Sequence, residues 1–416
     1  MGVVGGVSRA LGLASESKVA KAAKGQFTFV QISDTHVGFH KDANPDVIGT
    51  LRRAIGDINA LAQRPAFALH TGDITHLSKP EEFDLAASVL GEIKLDRIHY
   101  VPGEHDALDS GLSGFLTHYG AESGQRGYYS FHDHGVHFVG LVNVVDFKAN
   151  SLAALGDDQL KWLRQDLSAL PASTPLVVFA HIPLWNVYEA WGWGTADSEQ
   201  AVQLLRRFGS VTVLNGHIHQ VIQKIEGNIA FHTALSTAYP QPAPGTAESP
   251  GPLTVAANEL GRVLGTRRIT KVSGTRALAT IDTPIIHDAQ AALGTQDEEP
   301  VMNGARVLRT LSMILFAAAS SQAATPPQEI DISQFAFSPR ELTVPVGTEL
   351  IWVNHDQTIH SVIGQGEGGK FSSPGLDSGD RFRMVFKHSG DFTYVCSLHP
   401  YMKGVVHVRE SLAQPP

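Results

Sequence analysis

The sequence predicts two fold classes in one chain of 416 residues: a layered α/β unit over 26–286 and an all-β unit over 328–410. Three observations predict them. From Phe27 to about Tyr239, β-prone runs alternate with stretches of helical apolar period. A linker over 287–327, polar and acidic in its first half, interrupts that pattern. Beyond it, β-like runs recur up to Arg409 without a helical period. The length prior is roughly two to three domains.

Residues 1–25 are rich in Gly, Ala and Ser, and read equally as a disordered N-terminus or the tail of an export signal. Phe27 to Ile32 form a first strand, and Ser33-Asp34-Thr35-His36 follow at its end. Residues 45–62 place Val47, Ile48, Leu51, Ala54, Ile55, Ile58 and Leu61 at helical spacing. Residues 66–70 form the next strand, which ends in Thr71-Gly72-Asp73. Residues 80–93 read as a helix whose acidic start suits its N-terminal dipole. A strand over 97–101 runs into Pro102-Gly103-Glu104-His105-Asp106. A hairpin is expected over 127–145, a helix over 157–170 and a buried strand over 175–180 that delivers His181. A helix over 196–208 and a strand over 211–214 lead to Gly216-His217-Ile218-His219. Residues 229–235 return as a strand, and 253–270 and 277–286 have β character that finishes the sheet.

Composition narrows the function classes. A net charge of −9 argues against a sequence-independent nucleic-acid binder, which needs a basic face. Twenty His make metal sites worth seeking. The one cysteine, Cys396, excludes an intramolecular disulfide framework and a c-type haem attachment site.

Five strand ends in the first unit carry Asp, Glu or His: Asp34 with His36, Asp73, Glu104 with His105 and Asp106, His181, and His217 with His219. Ligands gather at the carboxyl ends of strands in open α/β sheets, so five such ends point to one site. This ordered set resembles the calcineurin-like metallophosphoesterase family over about residues 27–240. The resemblance implies a four-layer α/β fold, a β-sandwich flanked by helices. It also implies that Asp34, His36, Asp73 and His219 hold one metal, and Asp73, Glu104, His181 and His217 the other. Asp73 then bridges two ions, with Fe, Mn or Zn suiting the mixed oxygen and imidazole donors. Two cations roughly 3.5–4 Å apart neutralise a phosphoester and acidify a water for in-line attack. His105 is the expected general acid or charge stabiliser. Asp106 is expected either to hold the other ring nitrogen of His105 or to cap a helix. One residue departs from the family pattern, because Glu104 stands where Asn is expected. Its extra charge and reach either tighten the second metal site or weaken it. Trp185, Trp191 and Trp193, with Tyr188, follow His181 and either wall the pocket or pack over it. His40, His70, His76 and His99 lie near motif strands, and His76 is a candidate for the substrate mouth.

In the second unit, Cys396-Ser-Leu-His399-Pro-Tyr-Met402 presents thiolate, imidazole and thioether between two β runs, with His360 in an upstream turn. Soft sulfur, two imidazoles and a weak axial thioether form the donor set of electron-transfer copper. The segment resembles the small cupredoxins, nearest the amicyanin and plastocyanin-like group, over about 328–409. The resemblance implies a Greek-key β-sandwich with one copper ion. His355, His388 and His407 fit no ligand position. Between the units, 302–323 reads as a secretory signal in mid-chain: a basic start, an apolar run over 311–319, and small residues at Ser321 and Ala323. That apolar run is too short to span a membrane, so no transmembrane anchor is expected. The segment is read as a relic of two joined genes, the other reading being an interdomain helix.

The expected function is a phosphoric ester hydrolase, acting on a small phosphate ester and carrying a copper electron-transfer module with its own redox partner. The competing expectation is a copper electron carrier whose phosphoesterase unit is weakened by Glu104. Copper, the signal-like segment and the lack of disulfides suit a bacterial periplasm.

Overall fold

Strand β1 (Phe27–Ile32) is buried along its whole length, which its apolar and β-branched residues permit on both faces. It pairs in parallel with β2 (Ala68–His70), which pairs in parallel with β3 (Ile98–Tyr100). The structure, a computed structural model, describes residues 27–108, 112–145, 152–247, 249–271, 278–285, 327–356, 358–365, 370–399 and 402–410. Residues 1–25, most of the linker and the signal-like segment 302–323 lie outside the described residues.

A second sheet is built from β4 (Tyr129–Asp133), β5 (Val136–Gly140), β6 (Leu176–Phe179), β7 (Val211–Asn215), β8 (Gln223–Glu226) and β9 (Ile229–Thr233), in the order β4-β5-β6-β7-β9-β8. The strands β10 (Gly265–Lys271) and β11 (Leu278–Pro284) complete the first sheet as β11-β10-β1-β2-β3. Phe29, Phe67, Phe138, Phe179 and Leu214 fill the space between the sheets. Helices α1 (Val47–Asn59), α2 (Pro80–Leu90) and α3 (Ser113–Tyr119) cover the outside of the first sheet. On the second sheet lie α4 (Asp157–Ser168) and α5 (Ser198–Leu205). The result is the expected four-layer sandwich.

Two details differ from expectation. Residues 257–263, expected as strand, form helix α6 (Ala257–Val263). Ala257, Glu259, Leu260 and Arg262 are good helix formers, and the β-branched residues of the stretch flank them, Thr254 and Val255 before and Thr266, Ile269 and Thr270 after. Strand β8 was not anticipated because Gln223 to Ile225 are exposed and lack apolar alternation, as suits an edge strand.

The second unit is a sandwich of β12 (Gln328–Ser333), β13 (Ala336–Ser338), β14 (Glu341–Pro345), β15 (Glu349–Asn354), β16 (Ile363–Gln365), β17 (Arg381–Val385), β18 (Gly390–Val395) and β19 (Lys403–Arg409). One sheet runs β13-β12-β15-β17 and the other β14-β19-β18-β16. Trp352 is fully buried at its centre and meets Tyr394 edge-on at 5.5 Å. Truncating a buried aromatic costs about 3–5 kcal/mol. Trp352→Ala is therefore expected to lower the stability of this sandwich by that amount in a denaturant titration; a loss under about 1 kcal/mol would contradict the packing. Among the described residues, no helix is long and apolar enough to cross a membrane.

Candidate active site and metal centres

The parallel register of β1, β2 and β3 brings their carboxyl ends to one edge, where the loops carrying Asp34, Asp73 and Glu104 emerge. The parallel pair β6 and β7 does the same for His181, His217 and His219 on the facing sheet. Tight turns are needed to aim side chains back at one point. Asp34, His36, Asp73, His217 and His219 all adopt left-handed backbone conformations, with φ between 40° and 70°. For a non-glycine residue this costs roughly 1–2 kcal/mol each. Strain concentrated on five motif residues marks a functional site. Gly103 is required by close approach, since a Cβ there would run into the Asp73 carboxylate.

The structure brings together all seven predicted donors. Asp73 Oδ2 lies between two imidazoles, 3.6 Å from His36 Nε2 and 3.2 Å from His181 Nε2. Asp34 Oδ1 lies 3.3 Å from His219 Nε2 and accepts the His217 amide at 3.0 Å. Glu104 reaches inward, with its oxygens 2.9 Å from His181 Nε2 and 2.7 Å from His217 Nδ1. Donor atoms of Asp34, His36 and His219 lie within 4.8 Å of one another, and so do those of Glu104, His181 and His217.

Outer contacts fix the rings. His181 Nδ1 donates to the Thr71 carbonyl at 2.7 Å, and His219 Nδ1 to that of Tyr239 at 2.6 Å, which leaves each Nε2 free to ligate. Asp34 Oδ2, Glu104 Oε2 and His181 Nε2 are buried without a well-formed hydrogen bond, an arrangement a cation satisfies. Burial would neutralise Glu104 and Asp34, but the imidazoles around them outweigh it and hold both carboxyls below their usual range. Burial and neighbouring imidazoles push His36 well below its ordinary value, so its ring is neutral. Asp34, Glu104 and His36 are therefore deprotonated or neutral as ligation needs. At His181, burial is outweighed by Asp73 and Glu104, which hold the ring pKa well above its ordinary value.

Of the two expectations for Asp106, holding the His105 ring is the one the structure contradicts. The ring of His105 is held by the carbonyl of His76, which accepts from Nδ1 at 2.8 Å. Asp106 turns away and accepts the amides of Ile74, Thr75 and Gly103 at 2.8–3.0 Å. The pairing of Asp106 with the His105 ring is thus corrected: this carboxylate braces the Asp73 loop against the Glu104 turn. Burial pulls the His105 pKa down, but Asp73 and Glu104 outweigh it and raise it.

Sequence reasoning missed Tyr239, whose hydroxyl lies 3.2 Å from His36 Nε2, and Gln241, which donates to the His217 carbonyl. Both follow β9, whose end carries no charged residue to flag it. The pocket above the cluster is walled by Trp191 and Trp193, whereas Trp185 packs on Phe231 in the core. His76 lines the same pocket. His70 is a buried core residue, its pKa pushed down to about 3 chiefly by burial. His99 pairs with Glu122 at 2.7 Å.

In the second unit, Cys396 Sγ lies 3.4 Å from His399 Nδ1 and 3.7 Å from His360 Nδ1. Asp356 holds the far nitrogen of His360 at 2.8 Å. Burial raises the thiol pKa, but the two imidazoles outweigh it and hold the group well below its usual range. The Ser361 amide also donates to Sγ at 3.3 Å. Met402 is buried in the same cluster, its amide donating to the His399 carbonyl. A thiolate and two imidazole nitrogens converge, with the Met402 thioether in the adjoining core, a donor set that fits copper. His355 and His407 pair with surface aspartates.

Comparison with known proteins bears on both units. Residues 27–221 match the family model described as calcineurin-like phosphoesterase, and 307–408 the model described as a cupredoxin-like domain. The chain is similar to a probable glycerophosphodiester phosphodiesterase GpdQ of Arcobacter nitrofigilis, 26% identical over 216 residues, covering 50% of this chain and 78% of that protein. It is similar to the serine/threonine-protein phosphatase CPPED1 of Danio rerio, 24% identical over 224 residues, covering 48% and 72%. Its C-terminal part is similar to amicyanin-alpha of Methylorubrum extorquens, 30% identical over 83 residues, covering 19% of this chain and 70% of that protein.

Proposed function

The chain belongs to the calcineurin-like phosphoesterases through its first unit and to the cupredoxins through its second, and from that premise we propose a dinuclear, metal-dependent hydrolase of small phosphodiesters or phosphomonoesters that carries a type 1 copper centre. The unit boundaries proposed are 26–286 and 328–410. One observation carries the reading: Asp73 Oδ2 stands between His36 and His181, each of which belongs to a separate donor cluster. Asp34, His36, Asp73 and His219 would hold one ion, and Asp73, Glu104, His181 and His217 the other. Such a pair, of Fe, Mn or Zn, supplies charge neutralisation and an acidified water when bound. The protein's own residues do the rest. His105, held through Nδ1 by the His76 carbonyl, has its other nitrogen available to protonate the leaving oxygen. Trp191 and Trp193 keep water from the pocket's flank.

Glu104 decides between this reading and that of a copper carrier with a weak phosphoesterase unit. Its inward position beside His181 and His217 supports the hydrolase. The test is metal analysis of the full chain alongside bis(p-nitrophenyl) phosphate, p-nitrophenyl phosphate and glycerophosphodiesters. Absence of hydrolysis with both ions bound would overturn it. His105→Ala is expected to lower kcat by about 10²–10⁴ while metal content stays unchanged, most for esters with poor leaving groups. An unaltered kcat on such esters would remove His105 from the chemistry.

The copper centre would exchange electrons with a redox partner. The likeness to amicyanin-alpha and the copper donor set support a bacterial periplasmic location, which fractionation of the native host tests.

A further inference from the structure

The cavity above the metal-donor cluster is walled on one side by the β-sandwich. Glu104, His105 and Trp193 line one wall, and Ile359, Leu398 and His399 the other. His399 is one of the three Cys396-centred copper donors, so the copper edge of the sandwich faces the phosphoesterase pocket.

A buried ionic contact holds this arrangement. Asp377 lies in the sandwich and is only 7% exposed. Its carboxylate forms an ion pair with Lys41 and stands 3.5 Å from His76 Nε2, both in the first unit. Burial would raise its pKa, but His76 and Lys41 outweigh it and hold the carboxyl well below its usual range. A carboxylate removed from water needs such partners, so it selects one docking pose over others. Packing around it agrees. A Cβ added to Gly375, two residues away, would come within 3.3 Å of both Leu77 and Leu108 of the first unit. On the far side, Gly251 approaches Thr358 of the sandwich.

The space between the two walls is a narrow crevice of about 100 Å³ over the cluster. Beside it, a second space of about 510 Å³ shares Trp191, Gly251 and Thr358 as lining. Together they fall within the roughly 300–1,000 Å³ of sites for small ligands. A phosphoryl group with a short alcohol fits such a space. A phosphorylated polypeptide, which must bring backbone on both sides of its side chain, does not.

We propose that the β-sandwich is the lid of the phosphoesterase pocket, latched by Asp377 onto Lys41 and His76, and that it confines the site to phosphate esters of small alcohols. The inference rests on the hydrolase reading above and adds a substrate class to it. Asp377 acts here as a positioning residue, holding the lid without touching the ester.

The test compares the full-length, metal-loaded protein with Asp377→Ala and with Lys41→Met, which opens the latch from the opposite side. Substrates are p-nitrophenyl phosphate, bis(p-nitrophenyl) phosphate and a phosphoserine heptapeptide, and hydrogen exchange is followed at the amides of Gly251 and Leu253 and at 358–360. The wild type is expected to hydrolyse the peptide at least about a hundredfold less efficiently than the better small ester. Both variants are expected to raise kcat/KM for the peptide about tenfold, leave that for the small ester within about twofold, and speed exchange in both segments. Comparable wild-type turnover of peptide and small ester would overturn the substrate class. Faster exchange with an unchanged peptide preference would overturn it too. Unchanged exchange in both variants would overturn the latch. If no protein hydrolyses any ester, the hydrolase reading fails and the substrate class with it, while the exchange result still decides the latch.

Discussion

Asp73→Ala is expected to abolish phosphate-ester hydrolysis, lowering kcat at least about a thousandfold, and to strip the dinuclear site of bound metal. The expectation comes from where its two oxygens lie. Oδ2 stands 3.6 Å from His36 Nε2 and 3.2 Å from His181 Nε2, so its loss empties the position common to both donor clusters. Oδ1 accepts the amide of His105 at 2.9 Å, so the same change loosens the turn that aims the acid. No neighbour can take over, because Glu104 is engaged with His181 and His217, and Asp34 with His219 and the His217 amide. Asp73→Asn keeps the shape and one oxygen but removes the charge, and should fall between wild type and alanine. Steady-state kinetics with metal analysis of the purified variants checks this. Activity retained in Asp73→Ala at unchanged metal content would sink the dinuclear assignment.

That these residues gather at one place was legible in the sequence because each follows a β-prone run within a few residues. A parallel sheet places the ends of such runs side by side, so local order along the chain becomes proximity in space. Asp34, Asp73 and His181 belong to this class. Tyr239 and Gln241 were not legible, since their strand ends in small neutral residues and only the fold returns them to His36 and His217. Of the two roles left open for Asp106, ring partner or helix cap, the first fails for a related reason. Its position beside His105 suggested a partner, whereas the short 3₁₀ turn Glu104–Asp106 points the two side chains apart and spends the carboxylate on three amides. Helix α6 escaped because flanking β-branched residues outweighed a short run of helix formers. The contact of Asp377 with Lys41 and His76 lies furthest from any sequence signal. It joins positions more than three hundred residues apart across two separately folded cores, and nothing local to either partner announces it.

Cys396→Ser is expected to remove the visible absorption of the copper-loaded full chain completely. The wild type, given one equivalent of Cu(II), should show an intense thiolate-to-copper charge-transfer band that bleaches on reduction. The geometry favours a thiolate in advance of the ion. Two imidazoles stand 3.4 and 3.7 Å from Sγ, the Ser361 amide donates to it, and the thiol is held well below its usual pKa. A serine hydroxyl at that position is a hard donor with no comparable transition, so the band should vanish even where some copper still binds. His360→Ala should alter the spectrum by removing one imidazole, and with it the ring that Asp356 orients. Met402→Leu is expected to keep the band and raise the reduction potential, because a weak axial donor favours the oxidised ion over the reduced one. Zinc binds the same donors without colour, so a colourless preparation is stripped and reloaded before it is scored. Stoichiometric copper without a thiolate band, or a spectrum indifferent to His360→Ala, would show that copper is held by other residues.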